Sequence, residues 1–233
     1  MLPLRDNVPT RTFPVVTVGL IVANVLVWIW EWQTGVNKEV VKYGYYPCAV
    51  QGPCVSIARH HQPLVETVFT SMFMHGGWLH IGGNMLFLWI FGNNVEDALG
   101  RVRFFIWYLL CGIAATVAQT FVTLHFASTA DASIPNIGAS GAIAGVLGAY
   151  FLLLPTAKVL SAIFLGFFFF LYEVPAIFFL GFWFLFQAWQ GGFSVLHPEA
   201  GGGVAFFAHI GGFLFGLVTV RLAAVRRPLR PTW

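Results

Sequence analysis

Two residues that together could cut a peptide bond stand in separate apolar runs of this chain. Ser140 lies in the tetrad Gly138-Ala139-Ser140-Gly141, and His209 follows Ala208 and precedes Gly212 and Gly216. A serine hydroxyl becomes a nucleophile when a neighbouring base takes its proton, and imidazole is the usual base. An ionisable side chain at membrane depth is costly, so a histidine there points to function. His80 and Asn84 stand four apart in a third apolar run and share a helix face. With the backbone N–H of Ser140 at a helix start, they are the available donors for a developing oxyanion. The implied chemistry is acyl transfer. Ser140 attacks a peptide carbonyl, His209 takes its proton and returns it to the leaving amine, and water then hydrolyses the acyl-enzyme. None of the 9 acidic residues falls in the outer halves of the helices concerned, so a Ser-His dyad is expected without an acidic third member.

These side chains need a membrane bundle to position them. Of 233 residues 58% are hydrophobic and 9% charged, with 25 Phe and 9 Trp. Soluble domains carry roughly 25% charged residues. Segments near the roughly 20 residues a spanning helix needs can be placed at about 14–32, 69–92, 104–124, 140–154, 175–189 and 204–225, with a short basic tail at 226–233. The expected fold is therefore an all-α, polytopic bundle of six transmembrane helices forming a single membrane domain over 1–233. The first segment is too long, and lacks a cleavage site after it, to be a removed signal peptide.

Charge orients the bundle. With six spans, Arg5, Arg11, Arg101, Arg103, Lys158, Arg221, Arg226, Arg227 and Arg230 fall on one side, leaving Lys38, Lys42 and Arg59 on the other. The positive-inside rule then places both termini in the cytoplasm and the loop from about 33 to 68 outside. Helices two, four and six all enter from outside, so His80, Asn84, Ser140 and His209 share one outer layer. Gly141 with Gly145, and Gly212 with Gly216, form small-xxx-small pairs that let two helices approach closely in lipid.

The stretch 156–190 is too long for one helix. Cutting it into two would put the basic tail outside and separate His209 from Ser140 in depth. Val159 to Tyr172 is therefore expected to lie at, or dip into, the cytoplasmic interface, with Glu173 at the positive end of helix five and Pro175 in its first turn. A buried structural or proton-relay role for Glu173 is the alternative. The Phe run at 167–170 is expected to face lipid, and Cys111 to be a packing residue. Cys48 and Cys54 are expected either to bridge in the outer loop or to remain two thiols. His60, His61, His125 and His197 fall in predicted loops. The segment from Ser194 to Gly203 is read as a cap above His209 or as a solvated linker. A metal site built from His75, His80 and His209 lacks a His-Glu-x-x-His pattern and a nearby carboxylate, so no metal is expected.

At these motifs the chain resembles the rhomboid family of intramembrane serine proteases. The resemblance rests on Gly138-Ala139-Ser140-Gly141, on Ala208-His209 with Gly212 and Gly216, and on His80 with Asn84. His75 also fits the family pattern, where the corresponding residue is usually structural. The resemblance implies cleavage of other membrane proteins near the outer ends of their transmembrane helices, at small residues in readily unwound segments, with no cofactor. The partners expected are transmembrane substrates and the lipid bilayer, not nucleic acid, and the expected address is the plasma (inner) membrane of a bacterium. Two departures stand out. Ala144 occupies the place of a tyrosine that in some relatives stacks on the histidine, so another group must restrain the imidazole. Glu66-Thr67 stands where many members carry Trp-Arg. The rival readings are an inactive rhomboid-like protein that binds clients without cutting them, and a transporter or channel.

Overall fold

A computed structural model gives the architecture and describes residues 1–51, 54, 63–166, 168–197 and 205–232. The chain opens with strand β1 (Leu2–Asp6), then α1 (Val15–Thr34) and the short α2 (Val36–Tyr43). Next come α3 (Leu64–Thr70), a 3-10 turn at Ser71–Phe73, α4 (Trp78–Phe87), a π-helical turn at Leu88–Gly92 and α5 (Asn93–Leu99). The long α6 (Arg101–Phe126), the one-turn α7 (Thr129–Ala132) and α8 (Ser140–Leu153) lead to strands β2 (Lys158–Leu165) and β3 (Phe168–Pro175). Helices α9 (Ala176–Leu196) and α10 (Phe206–Ala223) complete the bundle.

Among the described residues four helices, α1, α6, α9 and α10, are long and apolar enough to cross a membrane. The predicted second and fourth spans take other forms. The stretch 69–92 is not one helix: Gly76 and Gly77 interrupt it, so His75 lies in an irregular segment and regular helix resumes at Trp78. Helix α8 has only 14 residues, a rise of about 21 Å against the roughly 30 Å of a bilayer's hydrocarbon. It is buried on nearly every side, from Gly141 through Tyr150. Ser140 is the first residue of this short, enclosed central helix.

The all-α expectation is corrected by a three-stranded antiparallel sheet in the order β1-β2-β3. The segment expected to lie along the interface folds back on itself at Gly166, with Lys158 opposite Pro175 and Val159 opposite Val174. Val159 and Ser161 point inward and are fully buried, a period of two that the surrounding apolar residues conceal in the sequence. Glu173 accordingly sits in a strand, not at a helix end, and pairs with Lys158 at 3.0 Å. Phe168, Phe169 and Phe170 are exposed. Helix five also runs seven residues beyond its predicted end at Trp189, to Leu196.

Sheet, loops and tail are tied together at the basic end. Glu96 accepts the N–H groups of Val16 and Thr17 at 3.0 and 2.7 Å and the Thr17 hydroxyl at 2.8 Å, satisfying donors that a helix start leaves unpaired. Arg11 meets Asp97 at 2.6 Å and donates to the Arg227 carbonyl at 2.8 Å. Asp6 accepts from Tyr150 Oη at 2.5 Å and Asn94 Nδ2 at 2.7 Å. The Asn7 carbonyl accepts from Thr232 N at 3.0 Å, and Asn7 Oδ1 accepts from Lys158 N at 2.8 Å. At the opposite end Cys48 and Cys54 form a disulfide, while Cys111 is a buried free thiol.

Candidate functional site

Lipid supplies no hydrophobic force between helices, so close packing must hold α8 against α10. A Cβ on Gly212 would strike the Gly141 carbonyl, and one on Gly216 would strike the Gly145 carbonyl. A Cβ on Gly145 would meet Cys111 Sγ at 2.5 Å, so α6 closes on the same helix from another side. With the two backbones touching, short side chains reach across. His209 Nε2 lies 2.8 Å from Ser140 Oγ.

His209 is held by α9. Its Nδ1 is 2.8 Å from Gln187 Oε1, and the Trp183 ring lies 5.8 Å from the imidazole, tilted by 38°. Trp183 therefore restrains the histidine that Ala144 cannot, since Ala144 is buried against Gly212. Neither Trp183 nor Gln187 was found by sequence reasoning. Their four-residue spacing on a long apolar helix was the available signal, because a buried glutamine in a membrane helix needs a partner.

The oxyanion candidates approach from α4. Asn84 Nδ2 is 3.0 Å from His75 Nε2, and His75 Nδ1 is 3.1 Å from the Phe73 carbonyl. A carbonyl can only accept, so Nδ1 carries the proton, Nε2 accepts from the amide, and the second N–H of Asn84 is left over. His75 is thus an orienting group outside the dyad. Its own backbone N–H donates to Glu31, a fully buried α1 carboxyl absent from the sequence expectations for the site, at 3.1 Å. His80 Nδ1 accepts the Gly76 N–H at 3.3 Å, which leaves the His80 proton on Nε2.

Gly138 explains how these donors reach the head of α8. Its φ of +115° is strained for any other residue, and a Cβ there would lie 2.6 Å from His80 Nε2 and 3.6 Å from Asn84 Nδ2. Its N–H donates to the Ser71 carbonyl at 2.8 Å. No side chain among the described residues caps the start of α8, so N–H groups of its first turn remain available. Ser140, His209, His80, Asn84, Gln119 and Gln190 all line one cleft of about 860 Å³. A nucleophile bonded to a base, with donors converging beside it, is equipped for acyl transfer.

Of the other histidines, His197 lines this cleft and His125 bonds the Phe121 carbonyl at 2.7 Å. His60, His61 and the part of the predicted outer cap at 198–204 lie outside the described residues. No group of three His, Cys, Asp or Glu side chains among the described residues could hold a metal.

A family model for the Rhomboid domain matches residues 63–226, a stretch that includes every dyad and donor residue named above. The chain belongs to the rhomboid family. This rhomboid is 34% identical over 159 residues to "Rhomboid protein 1, mitochondrial" of Saccharomyces cerevisiae, covering 65% of this chain and 40% of the relative. It is 28% identical over 205 residues to the human "Presenilin-associated rhomboid-like protein, mitochondrial", covering 85% and 46%. It is 32% identical over 87 residues to "Rhomboid-like protein 11, chloroplastic" of Arabidopsis thaliana, covering 37% and 29%. The chain thus spans less than half the length of these relatives. The matches also correct the expected address. The relatives are organellar by name, two of them mitochondrial, which removes the ground for a bacterial plasma membrane and leaves a multi-pass membrane protein.

Proposed function

We propose that this rhomboid is an intramembrane serine endopeptidase that cleaves transmembrane segments of other membrane proteins, with Ser140 as nucleophile and His209 as general base. The 2.8 Å contact between Ser140 Oγ and His209 Nε2 carries the reading, because two polar side chains from separate apolar helices meet at the head of a buried one. The Ser140 hydroxyl attacks the scissile carbonyl as its proton passes to His209 Nε2, giving a tetrahedral oxyanion. The Ser140 N–H, His80 Nε2–H and the second N–H of Asn84 receive that charge. Collapse of the intermediate expels the amine, which takes the proton from His209, and water releases the acyl group by the same route in reverse.

In this reading 1–233 is a single membrane domain crossing the bilayer six times. The four long helices are joined by the composite segment Trp78–Leu99 and by α8, whose shortness sets the site below the surface opposite the basic end. Gly141, Gly145, Gly212 and Gly216 serve by letting α8 and α10 touch. Gly138 serves by admitting the donors, and His75 by orienting Asn84.

The test is labelling of the purified protein with a serine-reactive fluorophosphonate, alongside cleavage of a helical membrane substrate. Wild type is expected to label and to cut, and Ser140→Ala to do neither. Proteolysis that persists in purified Ser140→Ala removes the serine mechanism.

A further inference from the structure

A dyad has no built-in means of choosing which imidazole nitrogen carries the proton. His209 can act as a base only with Nε2 unprotonated and facing Ser140, which requires the proton on Nδ1. The opposite tautomer would donate to Ser140 Oγ and leave the hydroxyl with no acceptor for its proton. The side chain that stands beside Nδ1 on the neighbouring helix therefore decides the matter.

Gln187 Oε1 stands there, at 2.8 Å. The side chain is almost fully buried, at 6% exposure, and its position on α9 is one turn beyond Trp183, which covers the same imidazole. Face and edge of the ring are therefore both held by one helix. We infer that Gln187 is the positioning residue of this protease: its amide oxygen accepts the Nδ1–H of His209 and fixes the tautomer and ring plane that aim Nε2 at Ser140. This rests on the serine-protease reading above. The partner is neutral, so the resting site holds no buried carboxylate, whose isolation in a low-dielectric interior is costly. An amide oxygen does the orienting part of what an acid does in a triad and omits the charge.

Two variants separate this role from packing. Gln187→Met keeps the length and apolar bulk of the side chain and removes the acceptor, while Gln187→Glu keeps an acceptor oxygen at the same reach. In full-length protein in detergent, ¹⁵N-histidine spectra report the tautomer directly, with the His209 signals identified by their loss in His209→Ala. Wild type and Gln187→Glu are expected to show His209 protonated at Nδ1, and Gln187→Met to lose that pattern. Cleavage kinetics are expected to follow, with kcat in Gln187→Met lower by about 10- to 100-fold, the scale of one buried donor left unpaired. KM should change little, and most of kcat should be kept in Gln187→Glu. An unchanged His209 tautomer together with unchanged kcat in Gln187→Met overturns the inference. If the tautomer shifts in Gln187→Met while wild type neither labels nor cleaves, the positioning contact stands and the protease reading fails.

Discussion

The two ends of this bundle bury polar groups in opposite ways. At the basic end charge meets charge or a ring of donors: Arg11 on Asp97, Lys158 on Glu173, and Glu96 under the first turn of α1. Asp97 and Glu96 are buried and paired inside the fold, whereas Lys158–Glu173 is a half-exposed ion pair on its surface. At the cleft the dyad and its donors bond to one another and to amide and imidazole groups, with the Trp183 ring against His209, and several donors have no partner among the described residues: one N–H of Asn84, the Nε2–H of His80 and the head of α8. One end pairs its buried carboxylates within the fold, while the other keeps N–H donors facing the cleft, where the proposed mechanism has use for them. Helix α8 joins them, with Ser140 at one end and Tyr150, bonded to Asp6, towards the other.

The sharpest way to break this contrast is to delete the dyad. Ser140→Ala and His209→Ala are each expected to reduce cleavage by about 10⁴-fold or more with little change in melting temperature, read from substrate gels and thermal scans. A large loss of stability in both would make the pair a structural joint like those at the basic end. Next in size is Asn84→Ala, for which kcat should fall by roughly 10²- to 10³-fold with a small change in KM. Folded protein with an intact kcat would return Asn84 to structure alone.

Gly216→Leu tests whether the ends depend on the shared helix. The leucine would drive α10 into the Gly145 carbonyl, and overpacking of this kind costs about 1 to 3 kcal/mol or more. Stability and activity should fall together, measured as melting temperature and fluorophosphonate labelling. The smallest effect concerns the basic end. Burial raises Asp6 to about 6 despite the Tyr150 hydrogen bond, so the folded protein holds this proton more tightly than the unfolded chain does. That contribution to stability is fully present below pH about 4 and is lost as pH rises through about 6. Melting temperature should therefore decline over that window in wild type, and less so in Asp6→Asn.

The cleft end was more legible in the sequence than the basic end. Ser140, His209, His80 and Asn84 announce themselves because a polar residue in an apolar run is conspicuous, and glycines four apart mark close helix contacts. Gln187 and Trp183 escaped because their meaning depends on which way α9 faces. His75 was noticed, but the resumption of helix at Trp78 depends on Gly76 and Gly77 rather than on hydropathy. The sheet escaped for a different reason. Alternation inside Lys158–Leu165 is masked when outward positions are also apolar, and β1 has no local signal, since its partner lies far along the chain.

That last separation has a consequence for how the protein is made. Leu2 pairs with Ala162, and Asn7 receives Thr232, so the first strand emerges long before any of its partners exists. At roughly 5 to 20 residues per second, Asp6 waits on the order of ten seconds for Tyr150, and the sheet cannot close until β2 and β3 have followed. Glu96, which receives the first turn of α1, is made earlier than Tyr150 and both of these strands. The sheet at the basic end therefore closes only after α8 has been made, and β1 acts as a clasp between segments far apart in the sequence.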